Sequence, residues 1–275
     1  MRNLRVQTKT IIVFVSIILF IPSCVWWKNF LSTFFFENIH RPSTQNGKFN
    51  KIKSSSLYDT KLESGELVKG QRLLFVEYDE NGNVTHSTNG YFESFFTYED
   101  NRCIEAKIFR DGQLCDSSVD RYEEDKRVET FIYNAMDSLL SRVEYKYEGD
   151  YMVESLLYNA NETLLKKSKY KYYENGKPEF SEESMYDADG NVVDYMWSRY
   201  DKYGNLLESD GKEKFQKLKF EYKYDKDGKI LESVGFKQDG SKYPANIYTY
   251  DEHGNCIKKV SADNSMGNIW EYEYY

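Results

Sequence analysis

The chain has 275 residues and a formal charge of −8, and it is rich in aromatic residues, with 25 Tyr and 17 Phe beside only 4 Pro. An acidic chain repels phosphate backbones, which argues against nucleic acid as a main partner. Aromatic and β-branched residues favour a half-buried pleated surface, so the composition predicts strands. Apart from Cys24, discussed next, three cysteines remain. They cannot all pair, so disulfides are not the framework of the fold.

The N-terminus has the form of an export signal. Residues 1–10 carry three positive charges and no acid, and residues 11–22 form an apolar run of signal-peptide length. Ile21-Pro22-Ser23-Cys24 resembles a bacterial lipobox, which predicts that residues 1–23 are removed and that Cys24 is lipidated. Their removal takes three cations and no acid, so the charge falls from −8 to −11. An uncleaved N-terminal anchor and a soluble, signal-cleaved product are the alternatives, and all three place the rest of the chain outside the cytoplasm.

Residues 24–56 are predicted to be a membrane-proximal tether. Trp26, Trp27 and the run 34–36 of three phenylalanines are aromatic, and such residues either lie at the headgroup level or pack on the following domain. From Asn38 to Ser56 the chain is polar and contains proline, glycine, serine and threonine, which is typical of a linker.

Residues 57–275 are organised by a repeat: Tyr, usually Asp, two variable residues, Gly, then Asn or Lys. Full copies begin at Tyr78, Tyr172, Tyr186, Tyr200, Tyr224 and Tyr250. Two further copies keep the glycine, Gly112 and Gly240, and two keep only the tyrosine, Tyr133 and Tyr158. Asn-Gly and Asp-Gly supply the positive φ that hairpin turns require, so each copy predicts a tight turn between two strands.

Between the turns, aromatic and charged residues alternate. Phe220, Tyr222 and Tyr224 share one face of a strand, and Glu221 and Lys223 share the other. The pattern predicts an all-β fold after an N-terminal signal helix. We expect a repetitive antiparallel β-meander, an elongated and twisted repeat sheet whose aromatic face closes on itself.

The pattern Tyr-x-Tyr-Asp-x-x-Gly followed by Lys or Asn, at Tyr222 to Ile230 and Tyr248 to Cys256, resembles the YD repeat of the RHS family. The resemblance covers most of residues 70–275 as short units. It implies strands that wind into a shell. The C-terminal toxin of some members is not expected, because the last strand ends at Tyr275. Units such as Tyr173 to Lys177 are also similar to the short repeats of MORN-like antitoxin families.

Residues that usually carry chemistry are present but scattered. His40, His86 and His253 lie in the tether and in or beside turns, so the pattern predicts no zinc or catalytic site. Motifs of serine hydrolases, phosphate loops and Cys-x-x-Cys redox sites are absent from the sequence. We therefore predict no enzyme activity, no catalytic residue and no cofactor.

Two acidic patterns have a metal or catalytic interpretation and a simpler one. Asp187-x-Asp189-x-Asn191 and Asp225-x-Asp227 place oxygen atoms at alternate positions, as calcium loops do, but turn chemistry alone explains them. The pairs Glu123-Glu124 and Glu182-Glu183 could form a glycosidase couple, but in so acidic a chain they are more typical of a solvated face.

The cysteines of the repeat region are expected to be small buried side chains, as at Cys115 and Cys256. With Arg110 opposite Gln113, Cys115 faces Ile108 and Cys103 faces Asp120. The two sulfurs then point to opposite faces, so no bridge between them is expected.

The sequence therefore predicts a non-catalytic lipoprotein of the bacterial cell envelope, held to the membrane through Cys24. Its β-repeat domain is expected to bind a protein or glycan through an exposed sheet face or an unpaired edge near Tyr272. An envelope-associated hydrolase and an antitoxin or immunity-type protein are the alternatives.

Overall fold

A computed structural model of the protein describes residues 52–212 and 217–275, in which every regular element is a β-strand. The strands are β1 (Ile52–Glu63), β2 (Glu66–Tyr78), β3 (Val84–Thr88), β4 (Phe92–Glu99), β5 (Arg102–Arg110), β6 (Gln113–Glu123), β7 (Lys126–Asn134), β8 (Leu139–Glu148), β9 (Tyr151–Asn159), β10 (Leu164–Tyr172), β11 (Pro178–Tyr186), β12 (Val192–Tyr200), β13 (Leu206–Gly211), β14 (Leu218–Tyr224), β15 (Ile230–Gly235), β16 (Asn246–Tyr250), β17 (Cys256–Ser261) and β18 (Gly267–Tyr274). This part of the chain contains no helix that is long and apolar enough to cross a membrane. The signal helix expected at the N-terminus lies outside the described residues.

Each strand pairs antiparallel with the next, and the last strand returns to the first. Leu57 of β1 lies opposite Leu74 of β2 on one side and opposite Trp270 of β18 on the other. The eighteen strands therefore close into a barrel. Within the described residues, every strand has a hydrogen-bonded neighbour on both sides.

Closure corrects two expectations. The antiparallel meander is confirmed. The elongated twisted sheet with an unpaired edge is wrong, because the two end strands satisfy each other's backbone groups instead of leaving them to solvent. Tyr272, expected beside an unpaired edge, lies opposite Ser55 of β1. β1 already begins at Ile52, within the segment that the sequence assigns to the tether.

The assignment to the YD-repeat family of RHS proteins is also wrong. That resemblance implies strands winding into a shell, whereas the strands here form one closed barrel through the pairing of β1 with β18. The short repeat is real at the level of turns, because Asn-Gly and Asp-Gly turns occur wherever consecutive strands are joined tightly. A turn pattern alone does not determine how many strands join or whether their ends meet.

The repeat makes the tight turns that the sequence predicts. After Tyr78, the amide of Gly82 donates to the Asp79 carbonyl and the Asp79 amide donates to the Asn83 carbonyl, both at 2.9 Å. Gly82 has a φ of 81°. The hairpin has a β-bulge beside this turn, because Tyr78 lies opposite Val84 whereas Glu77 lies opposite His86. In the two copies without glycine, Asp137 and Glu162 occupy the same position with φ of 55° and 59°.

The two faces of the barrel differ in chemistry. In β14, Phe220, Tyr222 and Tyr224 are half-buried, while Lys219 and Glu221 are exposed. On β8 the face that carries Val143 and Tyr145 is buried, at 2% and 6% exposure, and we assign this face to the inside of the barrel. The outer face carries the charged residues of the alternating pattern.

Small residues lie opposite large ones on the inner face. The register pairs Tyr145 with Ser155, Tyr170 with Ser181, Tyr222 with Ser233, and Tyr272 with Ser55. On a concave surface a serine leaves the space that the neighbouring tyrosine ring fills. The only cluster of fully buried apolar side chains among the described residues is small, formed by Val143, Tyr145 and Leu157. Strand pairing and half-buried tyrosines therefore carry much of the stability.

Replacement of Ser168 tests this packing. Ser168 is fully buried and its Oγ has no hydrogen-bond partner within residues 52–212 and 217–275. Ser168→Ala should leave the free energy of unfolding unchanged or raise it by up to about 1 kcal/mol, because an unsatisfied hydroxyl is removed. Ser168→Leu should lower it by about 1–3 kcal/mol through overpacking. Denaturant unfolding measures both, with Ser184→Ala on the outer face as control. A destabilised alanine variant would contradict the packing described.

The left-handed turn residue gives a second test. Asp137→Gly should raise the free energy of unfolding by about 1 kcal/mol, because glycine adopts positive φ without the strain of a Cβ. The neighbouring Met136 is 82% exposed and has no positive φ, so Met136→Gly should lower stability by about 0.5–1 kcal/mol. Thermal and denaturant unfolding compare the two. Equal effects from both glycines would show that the turn geometry is wrong.

Candidate functional site

The sequence-predicted residues do not converge. Cys24 and His40 lie outside the described residues. His86 lies on the outer face, with Nδ1 2.9 Å from Glu77 Oε2 and its ring stacked on Phe95 at 4.7 Å. His253 follows β16, and its ring centroid lies 4.5 Å from that of Tyr274. His86 lies on β3 and His253 lies just before β17. Three strands, β18, β1 and β2, separate β3 from β17 in the sheet, so the two histidines are far apart.

In the calcium-like turn, the carboxylate of Asp187 accepts hydrogen bonds from backbone amides of the turn itself. Asp187 Oδ1 accepts hydrogen bonds from the amides of Asp189 at 3.0 Å and Asn191 at 2.8 Å. These bonds, that from Asn191 first, lower the pKa of Asp187. In the part of the chain that the structure describes, no group of three or more His, Cys, Asp or Glu could hold a metal ion. The acids of this turn act as turn formers.

The acidic pairs are not catalytic couples. Glu182 lies on the outer face, whereas Glu183 points inward with Oε1 3.6 Å from Lys166 Nζ. Neighbours along a strand face opposite sides, so the two carboxylates cannot act on one bond. Glu123 ends β6 and Glu124 occupies the following turn, with a φ of 54°.

The free thiols of the described residues are Cys103, Cys115 and Cys256. Arg110 lies opposite Gln113 as expected, but a bulge places Ile108 opposite Asp116 rather than Cys115. Burial raises the pKa of Cys103 to about 12 and that of Cys256 to about 11. A nucleophilic thiol needs a lowered pKa, so these thiols are poorly suited to catalysis.

One rim of the barrel carries a repeated tyrosine hydrogen bond. The hydroxyl near the end of an even-numbered strand donates to a carbonyl at the start of the preceding strand, over 2.8–3.1 Å. The pairs are Tyr122 with Cys103, Tyr147 with Arg127, Tyr172 with Met152, Tyr222 with Leu206, Tyr250 with Ile230, and Tyr272 with Cys256. These hydroxyls are used by the fold.

At two places the turn aspartate joins neighbouring hairpins. Asp251 Oδ1 accepts from the Asn255 amide at 2.8 Å, and its Oδ2 accepts from the Tyr274 hydroxyl at 2.6 Å. Burial opposes ionisation of Asp251, but the bonds from Tyr274 and Asn255 outweigh it and lower its pKa. The hydroxyl of Tyr224 on β14 donates to the carboxylate of Asp201 in the same way, four strands before Tyr274 on β18.

At six of the turns of this rim, a residue in or beside the turn also covers the tyrosine of the next even-numbered strand. Six cations or rings lie 4.5–5.8 Å from the tyrosine centroids. They are Arg102 on Tyr122, Lys126 on Tyr147, Tyr151 on Tyr172, Tyr203 on Tyr224, Lys229 on Tyr250 and His253 on Tyr274. Cation–π and ring contacts thus couple each hairpin to the next.

The outer face carries cross-strand ion pairs. Glu154 of β9 lies 2.7 Å from Lys146 of β8 and 2.6 Å from Lys167 of β10. Further pairs on this face are Lys53–Glu273, Lys69–Glu271, Arg199–Glu208 and Lys223–Glu232. A lipid-facing barrel needs an outward apolar band about 25 Å tall. The strands named here carry charged pairs on that face instead.

Aromatic side chains interrupt the charged pattern of the outer face in more than one place: besides the stack of His86 on Phe95, an aromatic group lies on β11 and β12. The rings of Phe180 and Trp197 stack at 17° with centroids 6.4 Å apart. Tyr195 shares this face of β12 and is 45% exposed. Lys171 Nζ lies 6.0 Å from the centroid of Phe180. An open trough of about 520 Å³ over β8–β11 is lined by Phe180 on the side of these rings.

The sequence reasoning missed this aromatic group because it treated the alternation of faces as uniform. The signal was present: Phe180, Tyr195 and Trp197 stand at outer-face positions where other strands carry Glu, Lys or Arg, as at Glu221 and Lys223. We call Phe180, Trp197 and Tyr195 the aromatic platform.

No family model and no curated protein matches the chain, so nothing there supports the YD-repeat assignment that the barrel overturns. Among solved structures, a porin-like protein from Bacteroides uniformis ATCC 8492 is 9% identical, with a TM-score of 0.43 over 82% of this chain and 98% of that one. A porin-like protein from Bacteroides vulgatus ATCC 8482 is 15% identical, with a TM-score of 0.42 over 82% and 99%. The Tc holotoxin pore of Photorhabdus luminescens is 12% identical, with a TM-score of 0.22 over 70% and 12%.

The rim tyrosines predict alkaline unfolding. Burial, followed by the carboxylates of Asp120 and Asp251 respectively, raises the pKa of Tyr122 and Tyr274 to about 12. Unfolded tyrosine titrates near pH ~10. Because the pKa is higher in the folded state, the contribution of each tyrosine to the free energy of unfolding is fully present below about pH 10. That contribution is lost as the pH rises towards about 12. Tyrosinate absorbance and circular dichroism should therefore change together in that range. Ionisation near pH ~10 with the strand signal intact would contradict a structural role.

Proposed function

We propose that the protein is a non-catalytic lipoprotein of the bacterial envelope, anchored through lipidated Cys24. Its barrel stands in water outside the membrane and serves as an interaction scaffold. The observation that carries this proposal is the charged outer face of the barrel. The N-terminal signal supports the anchor, and the arrangement of the candidate chemical residues supports a role other than catalysis.

The outer face is charged where a membrane-spanning barrel is apolar. Lys146, Glu154 and Lys167 lie side by side on three consecutive strands. Arg142 on the same face pairs with Glu129 at 2.9 Å. A Lys or Arg on the lipid-facing side of a barrel costs about 2–4 kcal/mol at the bilayer midplane. In water the same pairs are nearly neutral, at about 0–1 kcal/mol each.

The arrangement of side chains favours binding over catalysis. A catalytic site brings a nucleophile, a base and an orienting group within hydrogen-bond reach. Here His86 and His253 lie apart, Asp187 is used by its own turn, and burial raises the pKa of the thiols of Cys103 and Cys256. These features support an interaction role.

Closure of the barrel restricts how a scaffold of this kind binds. Addition of a partner strand needs an unpaired sheet edge, and β1 and β18 use theirs on each other. Binding therefore falls to the outer face or to the rims. The tyrosines of one rim are engaged in the fold, so the outer face is the better candidate.

Membrane fractionation tests the proposal. The full-length protein should remain in the membrane after alkaline carbonate washing and require detergent for release. A variant whose residues 1–50, including the aromatic segment of the tether, are replaced by a cleavable secretory signal should be recovered in the soluble fraction, because its charged barrel has no affinity for lipid. Persistence of that variant in washed membranes would overturn the placement of the barrel in water.

Lipidation is measured separately. Globomycin or Cys24→Ala should stop processing, so that the unprocessed precursor accumulates and the mature mass is lost. Cys103→Ala is the matched control, because Cys103 lies in β5 and should leave processing unchanged. Normal processing of the Cys24→Ala variant would refute the lipid anchor.

A further inference from the structure

We propose that the outer face of β10–β12 binds a neutral oligosaccharide, with sugar rings seated on Phe180 and Trp197. The inference rests on the proposed function, because it needs this face to be in water outside the cytoplasm. It adds to that function the position of the site and the chemical class of the ligand.

The aromatic platform offers partly exposed ring surface to a sugar. The rings of Phe180 and Trp197 lie within 17° of parallel, and their centroids are 6.4 Å apart. Tyr195 extends the platform along β12 with 45% of its surface exposed. The face of an aromatic ring is negative and attracts the weakly positive C–H groups of a pyranose. Two nearly parallel rings therefore suit consecutive sugars of one chain.

The adjoining trough has the size of a small-molecule site. Its volume of about 520 Å³ lies within the range of about 300–1,000 Å³ for ligand pockets. Three lysines and three glutamates line it: Lys146, Lys169, Lys171, Glu148, Glu154 and Glu182. A negatively charged ligand would be repelled by the glutamates, and a positively charged ligand would be repelled by the lysines. A neutral polyol can accept hydrogen bonds from the ammonium groups and donate to the carboxylates.

Several of these charges are available to a ligand. Lys146 and Glu154 are bound to each other. Lys169 lies opposite Glu182 in the register, yet within the described residues neither takes part in an ion pair closer than 4.0 Å. Among the described residues, the ammonium group of Lys171 makes a cation–π contact with Phe180 and no ion pair. Lys169, Lys171 and Glu182 therefore place donors and acceptors beside Phe180 that no ion pair among the described residues engages.

A neutral saccharide fits this face better than a peptide does. Helical peptides bind in apolar grooves, and extended peptides add to a free sheet edge. The trough is lined mainly by charged residues, and the strands beneath it, β8–β11, are paired on both sides. Neither mode of peptide binding has the surface it needs here.

Titration calorimetry on the full-length protein in detergent tests the site. The probes are maltohexaose, cellohexaose, chitohexaose and mannohexaose, with oligogalacturonate and a proline-rich peptide as competing classes. At least one neutral hexaose should bind saturably. Trp197→Ala and Phe180→Ala should each weaken that binding by at least about tenfold, because the stacking surface is lost. Lys171→Gln and Glu182→Gln should weaken it while leaving both rings in place.

Phe95→Ala is the matched control. Phe95 is an aromatic residue of the outer face with 44% exposure, but it lies on β4, away from the trough, so affinity should not change. The proposal is overturned if no neutral hexaose binds at up to about 10 mM, if the acidic saccharide or the peptide binds instead, or if the glutamine variants leave affinity unchanged. Fractionation of the signal-replaced variant is independent of these results, so failure of the glycan site is distinguishable from failure of the envelope scaffold.

Discussion

The pairing of β1 with both β2 and β18 is the constraint on which the rest of the structure depends. Leu57 lies between Leu74 and Trp270 in the register, so the sheet has an inside and an outside rather than two equivalent faces. Closure satisfies the backbone groups that an open sheet would leave exposed. It also removes strand addition as a mode of binding and leaves side chains of the outer face as the means of recognition.

Tyrosine supplies the local link between hairpins. A hydroxyl such as that of Tyr147 crosses to the carbonyl of Arg127, and Lys126 covers the same ring from the neighbouring turn. Because each hairpin contacts mainly the next, stability accumulates from neighbour to neighbour, as in other repeat proteins. The small cluster at Val143, Tyr145 and Leu157 is consistent with this distribution. Ring closure then joins the first unit to the last.

The division of chemistry between the faces connects the fold to the proposed function. In the proposed function, charged cross-strand pairs such as Lys146–Glu154 keep the outer face in water, and a lipid on Cys24 supplies the membrane affinity. The aromatic platform at Phe180 and Trp197 is one of the places where aromatic side chains interrupt that charged surface. It differs from the group around His86 and Phe95 in that it adjoins an open trough, which makes it the better candidate for recognition.

The sequence by itself determined the all-β class, the antiparallel order and the turns, because these depend on local properties: positive φ at Gly82 and its counterparts, and a period of two in Phe220 to Tyr224. It did not determine closure, which depends on the number of strands and on pairing between residues more than 200 positions apart, as for Lys53 and Glu273. Bulges beside the turns shifted the register, so Ile108 met Asp116 instead of Cys115. Only the tertiary structure decided which face is outside, and so which aromatic side chains are free to bind.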